Sequence, residues 1–343
     1  MIAEVDVSGP DAVFWLSNER LRLGVVPALG GRLLSLQWNH RELLYRNEVL
    51  IDDRLHRLDD SALPALDRTM ASWRNYGGDK TWPAPQGWSG AAEWAGPPDP
   101  VLDSGPYEPV LAIEDERLAL VMTSAPDPRS GLQVTRTIVL VPDSLEFELH
   151  QQFTAVLRPV RWAVWNVLQL RADPSGDVRD GWYAEVVHRP GSVIELLSGN
   201  GFPSYRITER VVFVPCQDVV GKLGVPGATG RLATWIDGVA VTQRFWPAPW
   251  ADDGDYPDRG SRAEIWLECP LAERLAHLGG LDPPARIIES EVLGPMVALA
   301  QGESTSMTVV VGVTSDFVPA GWAISAHHPP SSHRTGHRRR LHR

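Results

Sequence analysis

Cysteine is nearly missing from the 343 residues: Cys216 and Cys269 are the only two, too few for a disulfide framework or a zinc cluster. Both sit in apolar, strand-like runs, where a buried thiol is expected. Long apolar runs are missing too. No stretch approaches the roughly 18–20 residues of a membrane span, and the opening MIAEVDVSGPD has no basic region followed by an apolar core. A soluble, cytoplasmic protein with no membrane partner is the expectation. The sequence also lacks a Gly-x-x-x-x-Gly-Lys-Ser/Thr loop, a Gly-x-Ser-x-Gly elbow, a His-Glu-x-x-His pair and EF-hand spacing. Nucleotide and metalloprotease chemistry drop out, and no cofactor or metal is expected. The acidic run Asp252-Asp253-Gly254-Asp255-Tyr256-Pro257-Asp258 could offer oxygens to calcium, but its order matches no known loop and a solvated turn is the simpler reading.

Basic charge is scarce except at one end. The last 17 residues, HHPPSSHRTGHRRRLHR, hold five of the ten histidines, five arginines and no acid; without those arginines the formal net charge moves from −11 to −16. A body this acidic repels a phosphate backbone, so nucleic acid is not an expected partner, although the tail alone could hold polyanions weakly. Its histidines stand among Pro, Ser and Arg without fixed geometry, which argues against a metal site. The expected organisation is one domain over residues 1–322 and a disordered basic tail over 323–343. Nothing in the sequence sets an oligomeric state.

Helical periodicity is scarce as well, confined to Ala62–Trp73, with Leu63, Leu66 and Met70 on one face, and to Leu271–Leu278. Period-two patterning dominates. It predicts strands at Arg20–Val26, Arg32–Trp38, Leu118–Ser124, Gln133–Val141, Leu145–Phe153 and Val160–Leu170. Further strands are predicted at Arg231–Ile236, Val239–Phe245, Ala263–Leu267, Arg286–Val292 and Ser306–Val313. The 29 prolines and 30 glycines mark turns and crossings between them. With no fixed-period repeat to indicate a propeller or β-helix, two stacked sheets are the expected architecture. Patterning stops over Asp67–Pro109. A segment of that length without regular structure is functional or disordered, and its tryptophans, Trp73, Trp82, Trp88 and Trp94, argue against disorder.

Fourteen tryptophans divide by context. Trp15, Trp38, Trp162, Trp235 and Trp266 lie in strand patterns and read as packing. Trp82, Trp88, Trp94, Trp246 and Trp250 sit among Pro, Gly and Asp, as in WPAPQGW and RFWPAPWADDGDYP, where rim loops would carry them to a cleft. A tryptophan face suits the C–H face of a pyranose, and neighbouring polar groups can satisfy the hydroxyls, so a small-molecule saccharide is the expected partner. Packing within the loops is the rival reading.

Four segments carry a resemblance: LRLGVVPALGGRLLSL (Leu21–Leu36), NYGGDKTWPAPQ (Asn75–Gln86), WNVLQ (Trp165–Gln169), and IESEVLGP (Ile288–Pro295) followed by AQGES (Ala300–Ser304). Together they resemble the galactose-mutarotase-like superfamily over roughly Glu19 to Val313, and more closely a domain-of-unknown-function branch with the GGxxxWPAPQ motif. The resemblance implies an all-β supersandwich of large antiparallel sheets, with few short helices and a sugar groove on one concave face. Candidate sugar contacts are Arg32, Asn75, Asp79, Lys80, Trp82, Gln86 and Trp88. Trp165, Asn166, Gln169, Arg244 and Trp246 complete the set. Arg32 resembles an arginine that touches sugar in relatives, a structural ion pair being its alternative. Gly77-Gly78 would let backbone approach a ligand.

Anomer interconversion in such relatives needs a base for the anomeric hydroxyl and an acid for the ring oxygen, each within hydrogen-bond reach. Glu289 and Glu291 alternate along one strand and share a face, and Glu264 is a third candidate; a solvated strand face is the plain alternative. The central segment Val160–Leu168 carries tryptophan and alanine where the family's histidine stands. His150, which shares a face with Glu146 and Glu148, His188, or Lys80 and Asp79 are the substitutes on offer. The resemblance implies a carbohydrate-binding protein with aldose 1-epimerase-like isomerase activity. A non-catalytic sugar-binding or sensing protein is the rival, and a glycoside hydrolase or lyase a third reading.

Overall fold

The computed structural model describes residues 1–316 apart from 62, 64, 68, 88, 115 and 173–175; Trp88 and the expected tail therefore lie outside the described residues. Two large antiparallel sheets dominate. The first holds β1 (Ile2–Asp6), β2 (Val13–Ser17), β3 (Leu21–Val26), β4 (Arg32–Trp38), β5 (Arg41–Glu42) and β6 (Asp79–Ala84). It continues with β11 (Val160–Arg171), β13 (Ile194–Ser198), β16 (Gly221–Val225), β19 (Ala263–Glu268), β20 (Ile287–Leu293) and β21 (Val297–Leu299). The second holds β7 (Tyr107–Glu114), β8 (Arg117–Ser124), β9 (Leu132–Leu140), β10 (Glu146–Ala155) and β12 (Gly181–Val186). Its other members are β14 (Arg206–Ile207), β15 (Val211–Pro215), β17 (Ala228–Ile236), β18 (Val239–Phe245) and β22 (Ser304–Thr314). The spatial orders are β1-β2-β3-β4-β6-β11-β20-β19-β16-β13, with β5 on β4 and β21 on β11, and β14-β15-β12-β17-β18-β22-β10-β9-β8-β7.

Alternation explains why these segments pair as they do. β8 buries Leu118, Leu120 and Met122, and β10 buries Phe147, Leu149, Gln151 and Phe153, while the alternate residues face outward. Those inward sets meet Leu23, Leu33, Leu168 and Ile288 of the first sheet in one inter-sheet core. All eleven predicted strands are present, with ends shifted by three residues at most. Both predicted helices fail among the described residues. Only 3-10 turns form, at Met70–Ser72 and Ala276–Leu278; positions 62, 64 and 68 of the first stretch lie outside the described residues, and Gly279-Gly280, both at positive φ, stop the second. The Asp67–Pro109 stretch is also more regular than its pattern predicts, since it contains β6 and the start of β7.

β6 lies in the middle of the first sheet, and its entry explains the paired glycines. Gly77 and Gly78 have φ of 96° and 74°, and a Cβ on either would run into the carbonyl of Tyr45 or of Leu33. The close approach is to neighbouring backbone and not, as the sequence suggested, to a ligand. Of the cysteines, Cys269 is buried and Cys216 half-buried, and both are free thiols. No helix among the described residues is long and apolar enough to cross a membrane.

Candidate functional site: a tryptophan-walled carboxylate cleft

The registers of β6, β11, β20, β19 and β16 decide what shares a face. Opposite pairs are Trp165 with Trp82, Val167 with Lys80, Gln169 with Glu289, Val167 with Glu291, Glu264 with Glu291, and Lys222 with Trp266. Period two then puts Lys80, Trp82, Trp165, Gln169, Lys222, Glu264, Trp266, Glu268, Glu289 and Glu291 on the face turned away from the second sheet. An ordinary outer face would be wet. Here the strands are buried on both sides, β19, β20 and β6 along their whole length. The cover comes from Met70 and Trp73 in the tryptophan-rich segment, Leu278 and Leu281 after β19, and Leu197 of β13, which leave a pocket with Trp82, Trp165, Trp266, Lys222, Glu268 and Glu289 in its walls.

Two ion-paired groups lie on this face, and of their members Glu289, Lys222 and Trp165 line the pocket. In one, Lys80 Nζ and Gln169 Nε2 both donate to Glu289 Oε1, the lysine from 3.3 Å. In the other, Lys222 Nζ sits 2.6 Å from Glu264 Oε2 and 2.8 Å from Glu291 Oε2, which also accepts from Trp165 Nε1 at 2.7 Å. Tryptophan faces take part in holding the cations: Lys80 Nζ lies 4.6 Å from the Trp82 ring centre and Lys222 Nζ 4.4 Å from that of Trp165. The Trp82 ring stands against Trp94 at 5.1 Å and Trp165 at 5.4 Å.

Four carboxyl groups with two lysines in a dry place cannot all ionise cheaply. Burial, reinforced by the negative Glu289, pushes Glu268 up to about 8, although Trp266 Nε1 donates to its Oε1 at 2.9 Å. Burial raises Glu264 and Glu291 as well, with Lys222 working against it in both. It lowers Lys80, against the pull of Glu289. Glu268 Oε2, Glu291 Oε1, Gln169 Oε1 and Trp82 Nε1 are buried and find no hydrogen-bond partner among the described residues. Of these, Glu268 and Trp82 line the pocket, and Glu291 and Gln169 lie beside it on the same face.

The candidate residues separate into three places. Glu289, Glu291, Glu264, Lys80, Trp82, Trp165 and Gln169 come together on this face, and Gln86 lines the pocket rim. The solvated-face alternative for the glutamates fails, since all three are buried. Arg32, also buried, donates to the carbonyls of Leu29 and Gly77 and pairs with Asp103 at 2.7 Å; Asp103 accepts from Trp73 Nε1 at 2.9 Å, so the arginine braces a wall residue from behind. The ion-pair alternative describes it.

Other candidates lie elsewhere. Asp79 and Asn166 face the second sheet, where Asp79 meets Arg136 and Asn166 Nδ2 donates to Asp79 Oδ2 at 2.6 Å. Asn75 is buried, its Oδ1 accepting from the backbone of Gly77. His150 stands on the outward face of β10 in the second sheet, bonded to Glu148 at 2.8 Å and Thr308 at 2.9 Å, with the sandwich between it and the glutamates. Arg244 pairs with Glu146 at 2.5 Å on that sheet, and Trp246 lines a separate groove with Trp250.

The structure adds residues the sequence reading passed over. Glu268 and Lys222 line the pocket, and Trp266, read as packing, is a wall. Glu268 was within reach, since it shares the parity of Glu264 and Trp266 in Ala-Glu-Ile-Trp-Leu-Glu. Lys222 carries no local signal. Trp94, read as a platform, is buried with its Nε1 on Asp99. The acidic run is a turn with Asp252 and Gly254 exposed, in keeping with the solvated-turn reading, while Asp253 meets Arg262 at 2.9 Å and also Arg189, Asp255 accepts from the Asp252 backbone, and half-buried Asp258 lies near Lys222 and Glu264.

No family model matches the sequence, and no curated protein matches it. Solved structures do share its fold. One is a TPR-domain containing protein from Parabacteroides distasonis, with 13% identity and a TM-score of 0.58 over 94% of this chain and 51% of that one. Another is a galactose mutarotase-like protein from Lactobacillus casei, with 11% identity and a TM-score of 0.53 over 88% of this chain and all of that one. A galactose mutarotase related enzyme from Lactobacillus acidophilus gives 8% identity and 0.52, over 88% and 97% of the two chains. The chain spans about half the length of the Parabacteroides protein. At such identities the likeness is one of fold: this is a galactose mutarotase-like β-supersandwich.

Proposed function

We propose that the cleft binds a small saccharide and interconverts its anomers, as an aldose 1-epimerase does. The observation that carries this reading is one tryptophan-walled pocket holding two carboxyl groups in unlike surroundings. Glu268 is pushed up to about 8 by burial and the nearby Glu289 charge, so it keeps a proton at neutral pH. Glu289 receives two donors on one oxygen and keeps the other as an acceptor. A carboxyl group that burial keeps protonated, beside one with an oxygen free to accept, can divide acid and base roles. Glu268 faces Ile287 across the β19–β20 ladder and is thus a diagonal neighbour of Glu289.

In this mechanism Glu289 takes the proton of the anomeric hydroxyl while Glu268 gives its proton to the ring oxygen. The C1–O5 bond breaks and C1 becomes an aldehyde. Rotation about C1–C2 presents the other carbonyl face, O5 returns, and the two protons go back, leaving both carboxyl groups as they began. Glu268 then fills the place of the absent family histidine. Trp82, Trp165 and Trp266 offer apolar faces to the ring, and Gln86 and Lys222 offer polar contacts at its edge. We also place the chain in the branch marked by GGxxxWPAPQ, whose Lys80 and Trp82 belong to the cleft.

NMR exchange at the anomeric protons of neutral aldoses tests the reading, with accelerated exchange expected and its loss in Glu289→Gln and Glu268→Gln. A non-catalytic sugar-binding protein is the second reading. It is favoured by one observation: no histidine is among the pocket's lining residues. Line broadening without faster exchange would select it.

A further inference from the structure

The two sheets close on each other through most of the sandwich but part at one end, where a cavity of about 500 Å³ remains between them. Its walls are mixed and come from both layers: Leu43 and Leu170 from the first sheet's side and Ile236, Val239 and Val241 from β17 and β18 give an apolar lining, and Arg41, Glu42, Arg171, Thr234 and Asp237 a polar one. The volume is within the range of small-molecule sites. It is separate from the cleft, which lies on the opposite face of the first sheet and shares none of these residues.

Two further features make this more than loose packing. Thr234, on the inward face of β17 beside Ile236, is 1% exposed and lines the cavity, and its Oγ1 has no hydrogen-bond partner among the described residues. A buried hydroxyl left in that state favours any occupant able to bond it. At the mouth stand the guanidinium groups of Arg41 and Arg171. Arg41 is held at the mouth by donating to the carbonyls of Asp237 at 2.8 Å and Ile236 at 3.3 Å; its carboxylate partner is Asp237 Oδ2 at 3.2 Å, Arg171 reaches Glu48 Oε1 at 3.0 Å, and the two carboxylate side chains are 64% and 65% exposed. Pairs this wet exchange partners at little cost. The other acid in the wall, Glu42, is already taken up: Ser35 Oγ donates to one oxygen, and the N–H groups of Leu36, Leu43 and Leu44 converge on the other.

We infer that the inter-sheet cavity is a binding site for a medium-chain carboxylate, its apolar chain along Leu170, Val239 and Val241 and its head between the mouth arginines and the Thr234 hydroxyl. A carboxylate accepts from a guanidinium in a bidentate manner and from a hydroxyl alike, so it can exchange for the wet side-chain carboxylates at the mouth while its other oxygen meets the Thr234 hydroxyl.

Calorimetric titration of the full chain with octanoate, octanol and octylammonium tests this. Octanoate is expected to bind one equivalent per chain and to raise the melting temperature, with octanol at least tenfold weaker and octylammonium silent. Arg41→Ala with Arg171→Ala is expected to cost tenfold or more, and Ile236→Trp, which fills the half-buried mouth, to abolish binding while octanoate still leaves sugar exchange in the cleft unaltered. Octylammonium or octanol binding as tightly as octanoate would overturn the anionic class. Octanoate bound equally by Ile236→Trp would overturn the location, and absence of octanoate binding to the unaltered chain would overturn the site. The ligand series on the unaltered chain decides the matter even where a substituted chain fails to fold.

Discussion

β6, β11 and β20 each carry two sets of buried polar residues, one per face, and the two sets are used differently. On the face toward the second sheet, both oxygens of Asp79 are engaged, by Arg136 and Asn166, and both ends of Asn166 are engaged, by Asp79 and Gln243. Ser290 donates to Gln243 and accepts from Trp182. On the other face, one residue along, Glu268, Glu291 and Gln169 each keep a buried oxygen without a partner among the described residues. Satisfied polar groups tie the sheets together; unsatisfied acceptors cost free energy and are retained where a ligand can repay it. Facing the same strands on the inward side, Arg136 Nε and Gln151 Nε2 are unpaired donors on side chains anchored by their other atoms; the unpaired Thr234 hydroxyl lies apart from them, in the inter-sheet cavity.

That difference is broken most forcefully by Asp79→Ala. It strands the Arg136 charge between the sheets, and unfolding in urea should show a loss of about 3–5 kcal/mol. Glu268→Gln, on the other face, should leave stability within about 1 kcal/mol or raise it, because it removes a carboxyl group that burial already holds against ionisation. Equal losses from the two substitutions would erase the distinction. Next in size is the chemistry: Glu289→Gln should slow anomeric exchange by about 100-fold or more, with sugar affinity changed far less, since a base acts on the barrier and not on ring stacking.

Sequence patterning reached one of these faces more easily than the other. Strands such as Arg32–Trp38 and Val239–Phe245 were legible to the residue because their inward positions are mostly apolar and their ends are marked by Gly, Asn, Asp or Pro. β6 was not, since Asp-Lys-Thr-Trp-Pro-Ala puts a charge on each face, and only the fold shows that both are covered. Period two gave the shared face of Glu289 and Glu291 but could not say whether it was wet. The cover is supplied by Trp73 and Leu278, far away in the chain, and no local pattern carries that information. For the same reason Arg32 looked like a sugar ligand and proves to be a brace, and Asp79 looked like a partner of Lys80 in one loop although strand alternation sends the two to opposite sides of the sheet.

A pH series sharpens the comparison further. A folded-state value of about 8 for Glu268, against about 4.3 for an unfolded glutamate, means that between those limits the folded protein holds a proton the unfolded chain has lost. Stability should therefore fall as pH rises through that window and level off above about 8. Glu264 and Glu291, raised by the same burial, add to the slope with the same sign. In Glu268→Gln the decline should become shallower without vanishing, as read by urea midpoints at pH 5, 6.5 and 8. Asp79→Asn offers the control on the inward face, where the loss should be large at every pH because the missing charge was the partner of an arginine. Anomeric exchange should weaken over the upper part of the same range, as Glu268 gives up the proton it donates.

The smallest expected effect falls on the residue that sequence reasoning offered as the catalytic acid. His150 is over a third exposed on the outward face of the second sheet, and its partners Glu148 and Thr308 are reached from the same surface. A pair of that exposure contributes within about 0.5 kcal/mol. His150→Ala should leave both urea stability and anomeric exchange essentially unchanged, while the equally modest exchange of one atom in Glu268→Gln should remove most of the turnover. A turnover loss in His150→Ala matching that of Glu268→Gln would mean that the second sheet's outer surface holds the acid. It would then follow that the unpaired oxygens of the cleft serve binding alone.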